Sequence, residues 1–192
     1  MKVLNLIAKT RSIRRYIEDK PVSTELLKYI VTSTRFVGSA GNAQRLRYLI
    51  VNDKERCDAI FEELSFAAKL TDWDGPAEGE RPAAYIVVMA EATPDVTLGI
   101  DIGLAAEAML ITAREEGLGG CMFRSFSPEK LGAKLGKEPY MPVLVISIGY
   151  SDEVVVLQDA ANFKCLDNPT YWRDDYGHHM VAKLPLDAIL LK

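Results

Sequence analysis

Histidine is almost missing from this 192-residue chain, cysteine is sparse, and no apolar run approaches the roughly 18 to 20 residues that span a bilayer. The two histidines, His178 and His179, are adjacent, with only Asp174 and Asp175 nearby as further metal ligands. Neighbouring side chains in an extended segment point to opposite sides, so a surface pair is expected rather than a metal site. Cys57, Cys121 and Cys165 are widely separated with no C-x-x-C pairing, which excludes a zinc knuckle or a disulfide framework and leaves reduced thiols. Cys121 has no basic partner in its Gly-rich apolar surroundings and reads as a small buried residue rather than a nucleophile. No G-x-G-x-x-G, P-loop or G-x-S-x-G occurs, which disfavours a built-in Rossmann site, a nucleotide triphosphatase and a serine hydrolase. Basic residues are outnumbered 23 to 27, and a net charge of −4 with pI near 5.3 argues against a nucleic-acid binder. Without a charged segment leading into an apolar one at the start, a soluble cytoplasmic protein with no membrane contact is expected.

Hydrophobic residues make up 48% of the chain, enough for one substantial core, so residues 1–192 read as a single domain. Against the acidic background one short stretch stands out. Residues 10–16, TRSIRRY, place Arg11, Arg14 and Arg15 within five positions, with the Ser12 hydroxyl among them. Three close guanidiniums repel one another unless an anion answers them, and arginine is the side chain best shaped for phosphate. An organic phosphate held here is one reading; a solvated basic turn is the other.

The remaining pattern alternates helices with buried strands. A short apolar helix precedes the arginines. Ser23 is placed to cap a second helix reaching about Thr34, and GSAGN at 38–42 is a turn. Strands are expected at 47–51, 84–89, 118–123 and 143–149, and helices at 53–68, 101–116 and from Ser127-Pro128-Glu129. The loop at 71–82 is acidic and Gly/Pro-rich yet carries Trp73, so it is expected to be ordered and to cover something. Residues 166–192 read as an aromatic, charged tail ending in a short amphipathic piece at 184–191. The class is therefore α/β or α+β, with a sheet covered by helices on both faces.

A phosphate-binding protein without acid–base or nucleophilic side chains fits chemistry carried by a cofactor. TRSIRRY followed by SAGNAQRLRYLIV resembles the paired N-terminal signature of the nitroreductase family of FMN-dependent oxidoreductases. DIGLAAEAMLITAREEGLGGCM is similar to that family's central helix and the strand behind it, and VISIGY and a terminal basic residue, Lys183, follow in the family's order. The resemblance implies a central mixed β-sheet with helices on both faces and a domain-like homodimer holding two FMN in its interface. It implies that Arg11, Ser12 and Arg14 hold the flavin phosphate and pyrimidine side and that Ser39, Ala40 and Asn42 reach the same flavin from the other subunit. The backbone of Cys121, Met122, Phe123 and Arg124 would line the ring near N5, and Lys183 would close on the phosphate. NADH or NADPH would be the donor and a flat nitroaromatic or quinone the acceptor, with ping-pong kinetics.

The chain departs from the family pattern at Thr10, Gly38, Arg45 and Leu184. Thr10 and Leu184 remove two phosphate contacts, for which Arg15 or Arg124 would compensate. A flavin-binding or redox-sensing module with little turnover, and a different flavin chemistry such as dehalogenation or flavin destruction, stay open as alternatives.

Overall fold

A computed structural model describes residues 2–91, 93–163 and 167–191, so Cys165 and the first residue of the expected tail, Leu166, lie outside the described residues. The first helix, α1, spans Val3–Lys9, and α2 spans Thr24–Thr32 behind Ser23, whose hydroxyl accepts the Leu26 N–H at 3.1 Å. A tighter 3-10 turn over Ser33–Phe36 carries the chain on. Strand β1 is Arg47–Val51, where expected. Helix α3 is Lys54–Phe61 and stops well short of the expected residue 68. There the chain turns so that Phe66 packs against Phe61 and Phe123, at centroid distances of 5.4 and 4.7 Å, and burial of that ring outweighs continuation of the helix.

Strand β2 (Ala84–Ala90), buried at every position, leads to α4, Val96–Glu115. The helix starts five residues before the expected position because Asp95 caps it, accepting the Leu98 N–H at 2.7 Å. Strand β3 is Gly119–Phe123, α5 is Pro128–Leu135 capped by Ser127, and β4 is Met141–Gly149. The sheet order is β1-β2-β4-β3. The α4 crossover joins two strands that run the same way, yet β4 is inserted between them and runs opposite to both. All named neighbours are therefore antiparallel. The mixed pairing expected of the central sheet reduces to one parallel bridge, Ser12 to Gly120, on the outer edge of β3.

Side-chain alternation sends Ala84, Ile86, Val88, Ile146 and Ile148 to a face covered by α2 and α4. Tyr85, Val87, Met89, Val145, Cys121 and Phe123 go to the opposite face, covered by α3 and α5. Helices cover both faces, as the sequence implies. Helix α4, with mean hydropathy 1.6, is the one helix among the described residues long and apolar enough to cross a bilayer, and its buried stripe is spent on this core.

Beyond β4 a second, three-stranded sheet forms, with one strand before the expected aromatic, charged tail at 166–192 and two within it. Strands β5 (Val155–Asp159), β6 (Tyr171–Arg173) and β7 (His179–Lys183) are ordered β5-β7-β6, parallel across β5/β7 and antiparallel across β6/β7. Asp174 ties the β6–β7 hairpin by accepting the Tyr176 and His178 N–H groups. Helix α6 is a single exposed turn at Leu186–Ile189.

Candidate functional site

The stretch 10–16 lies along the open edge of β3 because glycines let it approach. A Cβ on Gly119 would sit 2.5 Å from Ile13, and one on Gly149 would sit 2.8 Å from the Tyr16 ring. The Ile13 N–H donates to the Gly120 carbonyl at 2.9 Å, and Tyr16 is fully buried with its hydroxyl on Ser147 Oγ at 2.6 Å. With Ile13 and Tyr16 turned inward, the polar side chains are left at the rim.

The basic residues are not a freely solvated turn. Arg11 donates from Nη2 to the Ile7 carbonyl at 3.1 Å, and its Nε is buried without a hydrogen-bond partner among the described residues. Arg15 faces Glu80 at 3.4 Å and stacks 5.9 Å from Trp73. Arg14 donates its backbone N–H to Glu153, lies 5.2 Å over the Tyr171 ring, and places Nη1 3.2 Å from His179 Nε2. Glu153, whose side chain is 1% exposed, is itself paired with Arg173 at 3.3 Å, and Arg173 stacks 4.5 Å over Trp73. Trp73 thus does cover something, namely two of the guanidiniums. Ser12 remains exposed among them.

His179 overturns the expectation of a surface pair. Its residue is 2% exposed, whereas His178 is at the rim and faces Asp174 Oδ2 at 2.9 Å. The reason is β7, whose alternation turns one histidine into the packing against Arg14 and Tyr171. Burial, and then the charges of Arg14 and Arg173, lower the His179 pKa to about 4.

On β3, Cys121 and Phe123 point into the core, Met122 is 37% exposed, and Arg124 is exposed. Burial raises the Cys121 thiol pKa despite the nearby Arg14 charge and Ser12 hydroxyl, so it is poorly suited to nucleophilic work. Gly120 turns its carbonyl to the outer edge, and by the two-residue period Met122 presents its backbone to that same edge.

The second group sits elsewhere. Gly41, Asn42 and Gln44 adopt positive φ, and the turn is tied by Gln44 N–H to Ser39 Oγ at 3.0 Å and Ala40 N–H to Asp101 Oδ1 at 3.0 Å. It borders an open cleft of about 250 Å³ lined in part by Arg35, Ser39, Asn42, Arg47, Tyr48 and Asp101. Asp101 is 4% exposed and its Oδ2 has no hydrogen-bond partner among the described residues. Arg11 lies near Arg114, at the other end of α4. Thirteen helical residues separate Asp101 from Arg114, about 20 Å of rise. One chain therefore does not bring Arg11, Ser12 and Arg14 together with Ser39, Ala40 and Asn42. Lys183 is exposed at the end of β7 away from His179, roughly 13 Å along the strand.

The nitroreductase family model matches residues 7–150. The chain belongs to the nitroreductase family. It is 29% identical over 156 residues to an Archaeoglobus fulgidus protein provisionally named NADH dehydrogenase/NAD(P)H nitroreductase, covering 77% of this chain and 84% of that one. A solved FMN-dependent nitroreductase from Clostridium difficile is 25% identical with a TM-score of 0.63, over 79% of this chain and 88% of that one. A protein from Exiguobacterium sibiricum, provisionally described as a nitroreductase and solved in complex with FMN, shares the fold at 20% identity. Its TM-score is 0.62, over 80% of this chain and 90% of that one. The family match ends at 150, so Glu153, Tyr171, Arg173 and His179, which grip the arginines, all lie beyond it. The sequence reading missed these four and Asp101. For Asp101 a signal existed: it is a lone carboxylate on the apolar stripe of α4.

Proposed function

We propose that this nitroreductase-family chain is an FMN-dependent oxidoreductase passing electrons from NADH or NADPH to a flat, electron-poor nitroaromatic or quinone. The observation that carries this reading is the pair of polar half-sites at opposite ends of α4, each with a buried polar atom lacking a partner, Arg11 Nε and Asp101 Oδ2. The names of the Archaeoglobus and Clostridium relatives support the donor and the cofactor.

The residues present suit FMN. Arg11 and Arg14 offer guanidinium donors and Ser12 an exposed hydroxyl for the phosphate and pyrimidine side. Ser39, Ala40 and Asn42 would come from a second copy, completing the site in a homodimer. Lys183 would close on the phosphate, and Arg15 or Arg124 would compensate for the contacts absent at Thr10 and Leu184. Bound FMN would accept hydride from the nicotinamide and return electrons to the acceptor. The residues' own work is electrostatic. Arg14 places positive charge where negative charge accumulates on reduction, and the β3 edge at Met122 offers a backbone N–H fixed in direction. Phe123 and Cys121 back that edge with apolar packing that keeps water from beneath it. Donor and acceptor would use one face in turn, giving ping-pong kinetics. Residues 1–192 would act as a single cytoplasmic unit without nucleic acid or membrane as partner.

The test is anaerobic. Purified protein titrated with FMN should turn yellow, bleach with NADH or NADPH, and recover colour on adding a quinone or nitroaromatic. A protein that takes up no FMN would end this reading. Recovery with oxygen alone would instead favour the binding or sensing alternative.

A further inference from the structure

Three guanidiniums crowd together beside the β3 edge, but only two carboxylates answer them. Arg15 has Glu80 at 3.4 Å and Arg173 has Glu153 at 3.3 Å. Among the described residues Arg14 has no carboxylate within ion-pair distance of its side chain. Its partners are the Tyr171 ring beneath it and His179 Nε2 at 3.2 Å. A guanidinium only donates, so Nε2 carries the lone pair, Nδ1 carries the proton, and the imidazole is neutral. His179 Nδ1 is buried with no partner of its own among the described residues. A phenylalanine would fill the same space without burying an unpaired N–H, so packing alone does not account for histidine here.

We propose that His179 is the positioning residue for Arg14, holding the guanidinium by one neutral hydrogen bond so that its direction is fixed while its positive charge stays uncompensated. This rests on the reading of Arg14 as a flavin contact given above, and deepens it. A carboxylate in the same place would hold Arg14 more firmly but cancel its charge, and an aromatic ring would leave the charge but free its direction. Glu153 contributes by holding the backbone N–H of Arg14 while its own charge is absorbed by Arg173. Burial and the neighbouring positive charges of Arg14 and Arg173 lower the His179 pKa to about 4, which keeps the ring neutral through the physiological range. The C-terminal sheet, outside the family match, thereby acts on the redox centre without touching it.

The experiment measures the midpoint potential of bound FMN in the full-length protein, beside FMN affinity and urea stability, for wild type, H179Q, H179F and H179E. Gln offers a neutral acceptor near the place of Nε2 and should keep the ratio of reduced to oxidised flavin at fixed potential within twofold of wild type. H179F should lower that ratio about tenfold, near 30 mV for a two-electron couple, and H179E at least as much despite its stronger grip on Arg14. A wild-type potential in H179F and H179E, with only stability altered, overturns the proposal. If those variants do not fold, 15N NMR of the wild-type His179 ring decides: a proton on Nε2 overturns it, and a proton on Nδ1 supports it. Wild type that takes up no FMN sinks the functional reading and this proposal together, whereas FMN-loaded wild type with potentials indifferent to His179 sinks only this one.

Discussion

Replacing Arg14 with alanine removes a positive charge and also strips His179 Nε2 of its donor, so two effects must be separated. The lost acceptor satisfaction acts on stability, at about 1–3 kcal/mol for a buried group. On the proposed function, the lost charge would act on reduction. Removing one preorganised electrostatic group costs on the order of 3 kcal/mol in the barrier, about a hundredfold in rate. Stopped-flow reduction of FMN-saturated Arg14→Ala at a temperature well below its unfolding should show that slowing, and an unchanged rate would rule out the charge role. His179 gives a second prediction at this scale. Its folded pKa of about 4 lies below the unfolded value near 6.5, so the unfolded chain binds the extra proton first. The stability it contributes is present above pH 6.5 and is lost as pH falls toward 4, by about 3 kcal/mol in all. Urea titrations from pH 7 to 4 should show wild type falling more steeply than H179Q. Equal slopes for wild type and H179Q would contradict the buried, neutral ring.

Elements show why some of this was legible in the sequence and some was not. Strand β2 announces itself by an unbroken apolar run, β1 and β4 by β-branched, largely apolar ones, and α2 and α5 by Ser23 and Ser127 at their caps. Helix α4 was placed late because its first turn, Val96 to Gly99, is mostly exposed and breaks the stripe, although Asp95 marks the cap. Strands β5 to β7 are short and half-buried, and none of them carries a clean alternation of apolar residues. The Asp174 turn between β6 and β7 is local, but the contacts that seat this sheet against Arg14 come from Glu153 and His179, which no local window around Arg14 contains. The arginine stretch itself is legible as a site, but the Arg14 partners Glu153 and His179 lie about 140 to 165 residues away. A prediction follows from how the stretch is seated. A Cβ on Gly120 would meet the Ser147 carbonyl and Leu110 at 2.6 Å each, and the backbone atom cannot move without breaking β4. Gly120→Ala should cost about 1–3 kcal/mol by overpacking. It should also loosen the Ile13 bond to Gly120, seen as faster hydrogen exchange at Ile13. Gly103→Ala, at an exposed helical site with nothing within 4 Å, should be neutral or stabilising in the isolated chain. A Gly120→Ala protein as stable as wild type would refute this seating.

At the scale of the whole molecule the unresolved demand is apolar surface. Val3 and Leu4 of α1 are 72% and 75% exposed, Phe36 is 80% exposed, and Val96, Ile100 and Leu104 repeat every four residues along the outer face of α4. Such a stripe, flanked by the small residues Gly99 and Gly103, invites close approach by another helix. The two half-sites at opposite ends of α4 pose the same demand in chemical terms, because about 20 Å separates groups that would have to meet around one ligand. A second copy packed along α4, as proposed, would answer both, covering the stripe and bringing its GSAGN turn to the first copy's arginines. Charge placed in the stripe therefore separates this assembly from a self-sufficient monomer. Leu104→Glu is 45% exposed in the single chain and should leave its fold intact, changing monomer stability by no more than about 0.5 kcal/mol. It should bury a charge in the middle of the proposed interface, shift sedimentation from dimer to monomer, and weaken FMN binding at least tenfold, since Ser39, Ala40 and Asn42 would no longer reach the site. Loss of the dimer and of FMN should run together across protein concentrations, because each is linked to the other by mass action. A monomeric Leu104→Glu protein that binds FMN with wild-type affinity would show that one chain suffices, and the roles given to the second copy's turn would have to be abandoned.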